Sequence, residues 1–237
     1  DGHIKSSQGD KVWLFTGLRG GGKAYYALNI SDPDSPTLMW RLDKNSAGFS
    51  KLGETWSIPE VAFIPGYYTE TAGKKTYKPV LIFSGGYDQA KSYLGQGAED
   101  SEGLGIYIVD AEAGTLLFSF TPDAASATNK QVAGMVYSMP GSVSVLDSDG
   151  DGISDRIYAG DTGGQIWRID MKGTEKSKWT AIKFASLGNA HLSEGDKKLA
   201  DDRRFFTQPL LVRTINKGWK YDGTNYLYSE RPFDAVL

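Results

Sequence analysis

The stretch "VSVLDSDGDGISDRIYAGDTGGQIWRID" (residues 143–170) holds the fold in miniature. An alternating run, "VSVL", leads into a loop of aspartates and glycines. A second run, "RIYAG", leaves that loop and ends at "DTGG", and a third, "QIWRID", turns back. Short alternating segments bounded by Gly and Asp are the mark of antiparallel strands joined by tight turns. Inside the loop, Asp147, Asp149, Asp151 and Asp155 carry like charges with no lysine among them. Something outside the side chains must offset their repulsion.

The same pattern recurs on either side. "TWSIPEVAFI" (55–64), "VYSMPGSVSV" (136–145) and "FFTQPLLVRT" (205–214) each place Ser or Thr two residues before a proline that opens an apolar strand. Proline cannot donate to a sheet ladder and suits the start of a strand. "KVWLFTG" (11–17), "KPVLIFSGG" (78–86) and "DRIYAGD" (155–161) supply a strand that ends on glycine. "GGGKAYYALNISDPDSPTLMW" (20–40), "GLGIYIVDAEAGTLLF" (103–118) and "GGQIWRIDMKGTEKSKW" (163–179) supply a strand ending on Asn29, Asp110 or Asp170, then a turn and an outer strand. Four antiparallel strands per unit make a propeller blade. The fold class is therefore all-β, a β-propeller of four-stranded antiparallel blades. Residues 1–237 form one propeller domain or fragment, with blade repeats at about 11–54, 55–121, 136–185 and 205–214 onward. That is a partial or modified ring: the last three strands of one blade, two whole blades and the inner strand of a fourth. The inserts 66–78, 87–102, 122–135 and 187–204 read as polar rim loops, and 123–136 carries only one turn's worth of helical pattern. The final "GWKYDGTNYLYSERPFDAVL" is open between a rim loop and a strand. A β-sandwich with coincidental turns is the competing fold.

Composition agrees. Glycine is abundant, at 29 of 237 residues, against a usual ~7%, and 13 Tyr, 10 Phe and 6 Trp supply strand-forming aromatics. Cysteine is absent, which excludes disulfides, zinc thiolates and thiol nucleophiles. A net charge of -3 argues against a general nucleic-acid surface. The most basic cluster, Lys172, Lys176 and Lys178, reads as a solvated hairpin tip. No window approaches the ~20 apolar residues of a membrane span. No signal peptide is visible, and the opening residues read as the interior of a longer protein.

Counted from Asp147 as position 1, Asp149, Asp151, Gly152, Ile153 and Asp155 occupy positions 3, 5, 6, 7 and 9. Calcium loops take side-chain oxygens at 1, 3, 5 and 9, a backbone carbonyl at 7 and a sharp turn on glycine at 6. A cation is the missing counter-charge, and four carboxylates favour Ca2+ over the more demanding Mg2+. Tyr158 stands where an EF-hand has its bidentate glutamate, and strands replace the flanking helices. The site residues are thus Asp147, Asp149, Asp151, the carbonyl of Ile153, and Asp155.

Other motifs lead elsewhere. "GLRGGGKA" (17–24) imitates a phosphate loop, but Ala24 lacks the required hydroxyl and "YYALNI" continues as a strand rather than a helix. Its glycines read as a blade turn, with Arg19 and Lys23 on the rim. His3 and His191 stand in polar contexts, and no nucleophile elbow is present. Glu54 and Glu60 flank "TWSIP" as an imaginable acid–base pair, but rim or hairpin positions suit them better. The chain does not read as an enzyme.

"GLRGGGKAYYALNISDP…LMW", "VYSMPGSVSVLDSDGDGISDRIYAGDTGGQIWRID" and the "FFTQP" strand together resemble the C-terminal β-propeller of type IV pilus tip proteins, the PilC/PilY family. The resemblance spans about residues 11–213. It implies a modified propeller of a large protein exported to the bacterial surface, at the pilus tip or outer membrane. It further implies roles in pilus biogenesis, in extension against retraction, in twitching motility and in adhesion. The implied partners are pilus tip (minor pilin) proteins and the host-cell surface, and the implied calcium ligands are the five residues above. Asp149 stands where family members often have Asn. Two other propellers compete. Integrin α-chains repeat such loops in consecutive blades, whereas here "GYYTETAGKKTY" precedes Lys78 instead. Quinone-dependent dehydrogenases gather calcium ligands from separate strands rather than one loop.

Overall fold

A computed structural model of the chain describes Ile4, residues 9–93 and 98–188, Leu192, Gly195, Asp196, and residues 202–236. The first sheet has three antiparallel strands, β1 (Trp13–Gly17), β2 (Ala24–Asn29) and β3 (Thr37–Asp43). The second begins with β4 (Glu60–Ala62). The chain then leaves through a hairpin, β5 (Tyr68–Thr71) and β6 (Lys74–Tyr77), and returns as β7 (Val80–Ser84), β8 (Ile106–Asp110) and β9 (Leu116–Thr121). A short strand β10 (Asn129–Gln131) extends its outer edge, giving the order β10-β9-β8-β7-β4. The third sheet is β11 (Ser144–Leu146), β12 (Arg156–Gly160), β13 (Gln165–Asp170) and β14 (Thr180–Ser186), in that order. The last pair is β15 (Leu211–Tyr221) and β16 (Tyr226–Val236).

The second sheet shows how the sheets stack. Every residue of β7, "VLIFS", is buried, as is every residue of β8, "IYIVD". Alternate side chains on a strand point to opposite faces, so each face meets a neighbour. Val80, Ile82, Ile106 and Ile108 join Ile157, Ile169, Trp167 and Trp179 toward the third sheet. Leu81, Phe83, Tyr107 and Val109 join Tyr25, Ala27, Trp40 and Leu42 toward the first. Polar contacts bridge the same junctions: the Trp40 indole donates to the Ala111 carbonyl at 3.0 Å. Gly114, at φ +68, lies so close to Trp40 that a Cβ there would fall 2.6 Å from the ring. The fold is all-β, built from stacked antiparallel sheets as the repeat implied, and the ring is not closed.

Four expectations need correction. The insert 66–78, expected as a polar rim loop, contains the paired strands of the β5–β6 hairpin. The insert 122–135 contains β10, which pairs with β9 in parallel. Asn129 draws it in, because its Oδ1 accepts from the hydroxyls of Ser119 and Thr121 at 2.9 and 3.0 Å. The insert 87–102 is anchored inward by Lys91 and Asp100, whose side chains are fully buried and 3.4 Å apart. The expected strand at 205–214 begins only at Leu211, after Pro209, and the ambiguous last stretch is its partner β16. Much of 187–204 lies outside the described residues. Among the described residues there is no α-helix, only short 3₁₀ turns at Gln89–Ser92 and Lys176–Lys178, and no helix long and apolar enough to cross a membrane.

Candidate functional site

The aspartate loop joins β11 to β12, and those strands fix its ends. Ser144 pairs with Tyr158 and Leu146 with Arg156, so Asp147 leaves the ladder just where Asp155 re-enters it. The Asp155 amide donates to the Leu146 carbonyl at 3.0 Å and closes the neck. Asp147 then organises the interior. Its Oδ1 accepts from the amides of Gly150 (2.6 Å) and Asp151 (3.2 Å), and its Oδ2 from Gly152 (2.7 Å). Gly150 and Gly152 sit at φ +85 and +87, the left-handed region that favours glycine. Nothing lies within 4 Å of a Cβ built on either one, so backbone conformation alone demands glycine there. Burial raises the pKa of Asp147, but the three amide donors outweigh it and hold the carboxyl below the usual carboxylate range.

This winding brings three carboxylates together. Asp147, Asp149 and Asp151 each offer an oxygen, and the three lie within 4.8 Å of one another. Two oxygens that ligate one calcium at ~2.4 Å can be at most about 4.8 Å apart, so the donor set fits a single ion. Asp149 and Asp151 are exposed and Asp147 is half-buried. Asp155 does not join them. Its two oxygens accept from the Ser148 amide at 3.1 Å and the Ser148 hydroxyl at 2.5 Å. Ile153 and Asp155 instead line a pocket of about 390 Å³ with Asp149 and Asp151. Tyr158, at the position an EF-hand gives to glutamate, is buried in β12 with its ring edge-on to Phe184.

The other sequence candidates fall apart in space. Residues 17–24 form the turn between β1 and strand β2, with no helix to receive a phosphate. Arg19 lies over Trp56, 6.0 Å from the ring centroid, and Lys23 pairs with Glu102. Glu54 accepts from the Trp56 indole and Glu60 from the Gln208 amide, so each carboxylate is held separately. Lys176 departs from its expected solvated place: it is half-buried, and its ammonium donates to the Leu117 carbonyl at 3.2 Å. His3 and His191 lie outside the described residues.

One acidic residue went unassigned in the sequence. Asp161, in the "DTGG" turn, is fully buried and pushed up to about 6 by that burial, against donors from Trp167, Gln165 and Gly163. The clue was available in the spacing, because Asp161 stands six residues before the Trp167 whose indole it accepts at 2.8 Å.

Residues 3–200 match the family described as the PilY1 beta-propeller domain. The chain belongs to this family. A type IV pilus biogenesis factor PilY1 homolog of Xylella fastidiosa is 26% identical over 181 residues, 74% of this chain and 11% of that protein. The type IV pilus biogenesis factor PilY1 of Pseudomonas aeruginosa strain UCBPP-PA14 is 27% identical over 172 residues, 71% of this chain and 12% of that protein. The chain thus spans only about a ninth to an eighth of these relatives. The crystal structure of the Pseudomonas aeruginosa PilY1 C-terminal domain superposes with a TM-score of 0.57 at 21% identity, over 86% of this chain and 38% of that one. That likeness carries the fold.

Proposed function

We propose that this chain is a calcium-binding propeller segment of a type IV pilus biogenesis factor, working by binding rather than catalysis. The observation that carries the reading is the meeting of Asp147, Asp149 and Asp151 within 4.8 Å, in a chain of the PilY1 propeller family. Those three carboxylates and the Ile153 carbonyl would hold the ion, which would supply positive charge where the loop otherwise repels itself. Asp155 would join on release from Ser148. With the ion bound, the loop keeps its folded path, and loss of the ion weakens the propeller at that point. The full-length protein would be exported to the cell surface or pilus tip, meet minor pilin proteins and host-cell surfaces, and favour pilus extension over retraction. The test is the Asp151→Ala variant of the full-length protein in its own cells. Altered surface piliation or twitching at normal protein level supports the reading. Unchanged piliation and motility reduce the loop to a structural staple.

A further inference from the structure

We propose that the β5–β6 hairpin is the output element of the aspartate loop, ordered when the loop holds calcium and frayed when it does not. This rests on the calcium reading above.

The loop belongs to the third sheet, yet it is tied to the second. The Ser154 amide donates to the Phe63 carbonyl at 2.8 Å, just beyond β4 and just before the turn that launches the hairpin. That turn leans on the third sheet as well. Gly66 has φ +77, and a Cβ on it would lie 2.9 Å from the Thr174 Cβ, so turn and neighbour meet with no room to spare. The 390 Å³ pocket is lined by Asp149, Asp151 and Asp155 together with Pro65, Gly66 and Tyr77. Tyr77 is the last residue of β6 and faces Tyr68 across the hairpin, with ring centroids 5.3 Å apart. The carboxylates and the hairpin base therefore share one cavity.

The hairpin has little order of its own. Its strands have four residues each, and both are largely exposed. Isolated two-stranded hairpins are at best marginal in water. Its internal ties include the ladder, the tyrosine pair, Lys75 over the Tyr68 ring at 4.6 Å, the Thr69 hydroxyl on the Thr76 carbonyl at 3.5 Å, and the Lys78 amide on the Tyr67 carbonyl at 3.1 Å. Its order therefore depends on how firmly its base is held. Charge alone pulls the other way, because residues 66–78 carry Lys74, Lys75 and Lys78 against Glu70 and a cation in the loop weakens their attraction to its carboxylates. The coupling therefore runs through the backbone link. A loop that splays by carboxylate repulsion loosens the Phe63 link, and a loop closed on an ion holds it.

The test is amide hydrogen exchange on the 237-residue chain, stripped with chelator and then supplied with calcium at about ten times the Kd from a parallel titration. Openings that dismantle the site slow by one plus the ratio of ligand to Kd, about tenfold here. The expected result is a slowing of about that size in residues 68–77 as well as 147–155, with β1–β3 unchanged. Asp151→Ala, and Asp149→Ala as an independent second variant, should remove both effects. Calcium binding that protects 147–155 but leaves 68–77 unchanged overturns the coupling and leaves the calcium reading standing. No binding at all overturns both.

Discussion

Asp147 illustrates how much one side chain fixes in this loop. It accepts three backbone amides, and those bonds turn the next two aspartates toward it. The convergence of Asp147, Asp149 and Asp151 was legible in the sequence because such a loop is local, and spacing sets which of its oxygens can meet. The hold of Ser148 on Asp155 was not legible, because no spacing rule decides it, and on the calcium reading Ser148 and the ion would contest this carboxylate. Ser148→Ala removes the hydroxyl half of that contest, and its calcium affinity, read by titration, should rise severalfold. A fall would show that Ser148 orients Asp155 for the ion. A second prediction concerns Asp161. Its folded pKa of about 6 lies above an unfolded value of ~3.9. The stability it contributes is full below the unfolded value and is lost as pH rises through 6, at up to about 1.4 kcal/mol per pH unit. Thermal unfolding should therefore show the midpoint rising as pH drops from 7 to 5. In Asp161→Asn that slope should flatten, whatever its absolute stability.

At the scale of elements, the blade strands could be read from sequence and the added ones could not. Pro59, Pro140 and Pro209 precede β4, β11 and β15, and glycine closes the turns, so local chemistry marks the repeat. The hairpin β5–β6 and the strand β10 are held by contacts from distant segments, which periodicity does not register. The doubly buried β7 is the element on which two sheets depend. Phe83 stacks near Tyr25, Phe49 and Tyr107, with centroids 4.3–6.4 Å away. Phe83→Ala should cost about 3–5 kcal/mol in denaturant unfolding, as for other large buried side chains. Gly114→Ala should also destabilise, by about 1–3 kcal/mol, because it adds left-handed strain and a clash with Trp40. A neutral result at Gly114 would mean that the turn relaxes away from the first sheet.

Across the whole molecule, three sheets share two apolar interfaces, with the second sheet contributing to both. The aspartate loop lies where the second and third sheets are joined by Ser154 and Phe63. An ion there would bind the folded state and not the unfolded chain, so it should stabilise by about 2.7 kcal/mol at a hundredfold excess over Kd. Chelator should lower the unfolding midpoint of the wild-type chain and leave Asp151→Ala unmoved. Calcium binding at the loop is the central claim, and calorimetric titration tests it most directly, with chelator-stripped chain beside Asp151→Ala. The account predicts one site in the wild type and none in the variant. No heat in the wild type, or equal binding in both, would contradict it.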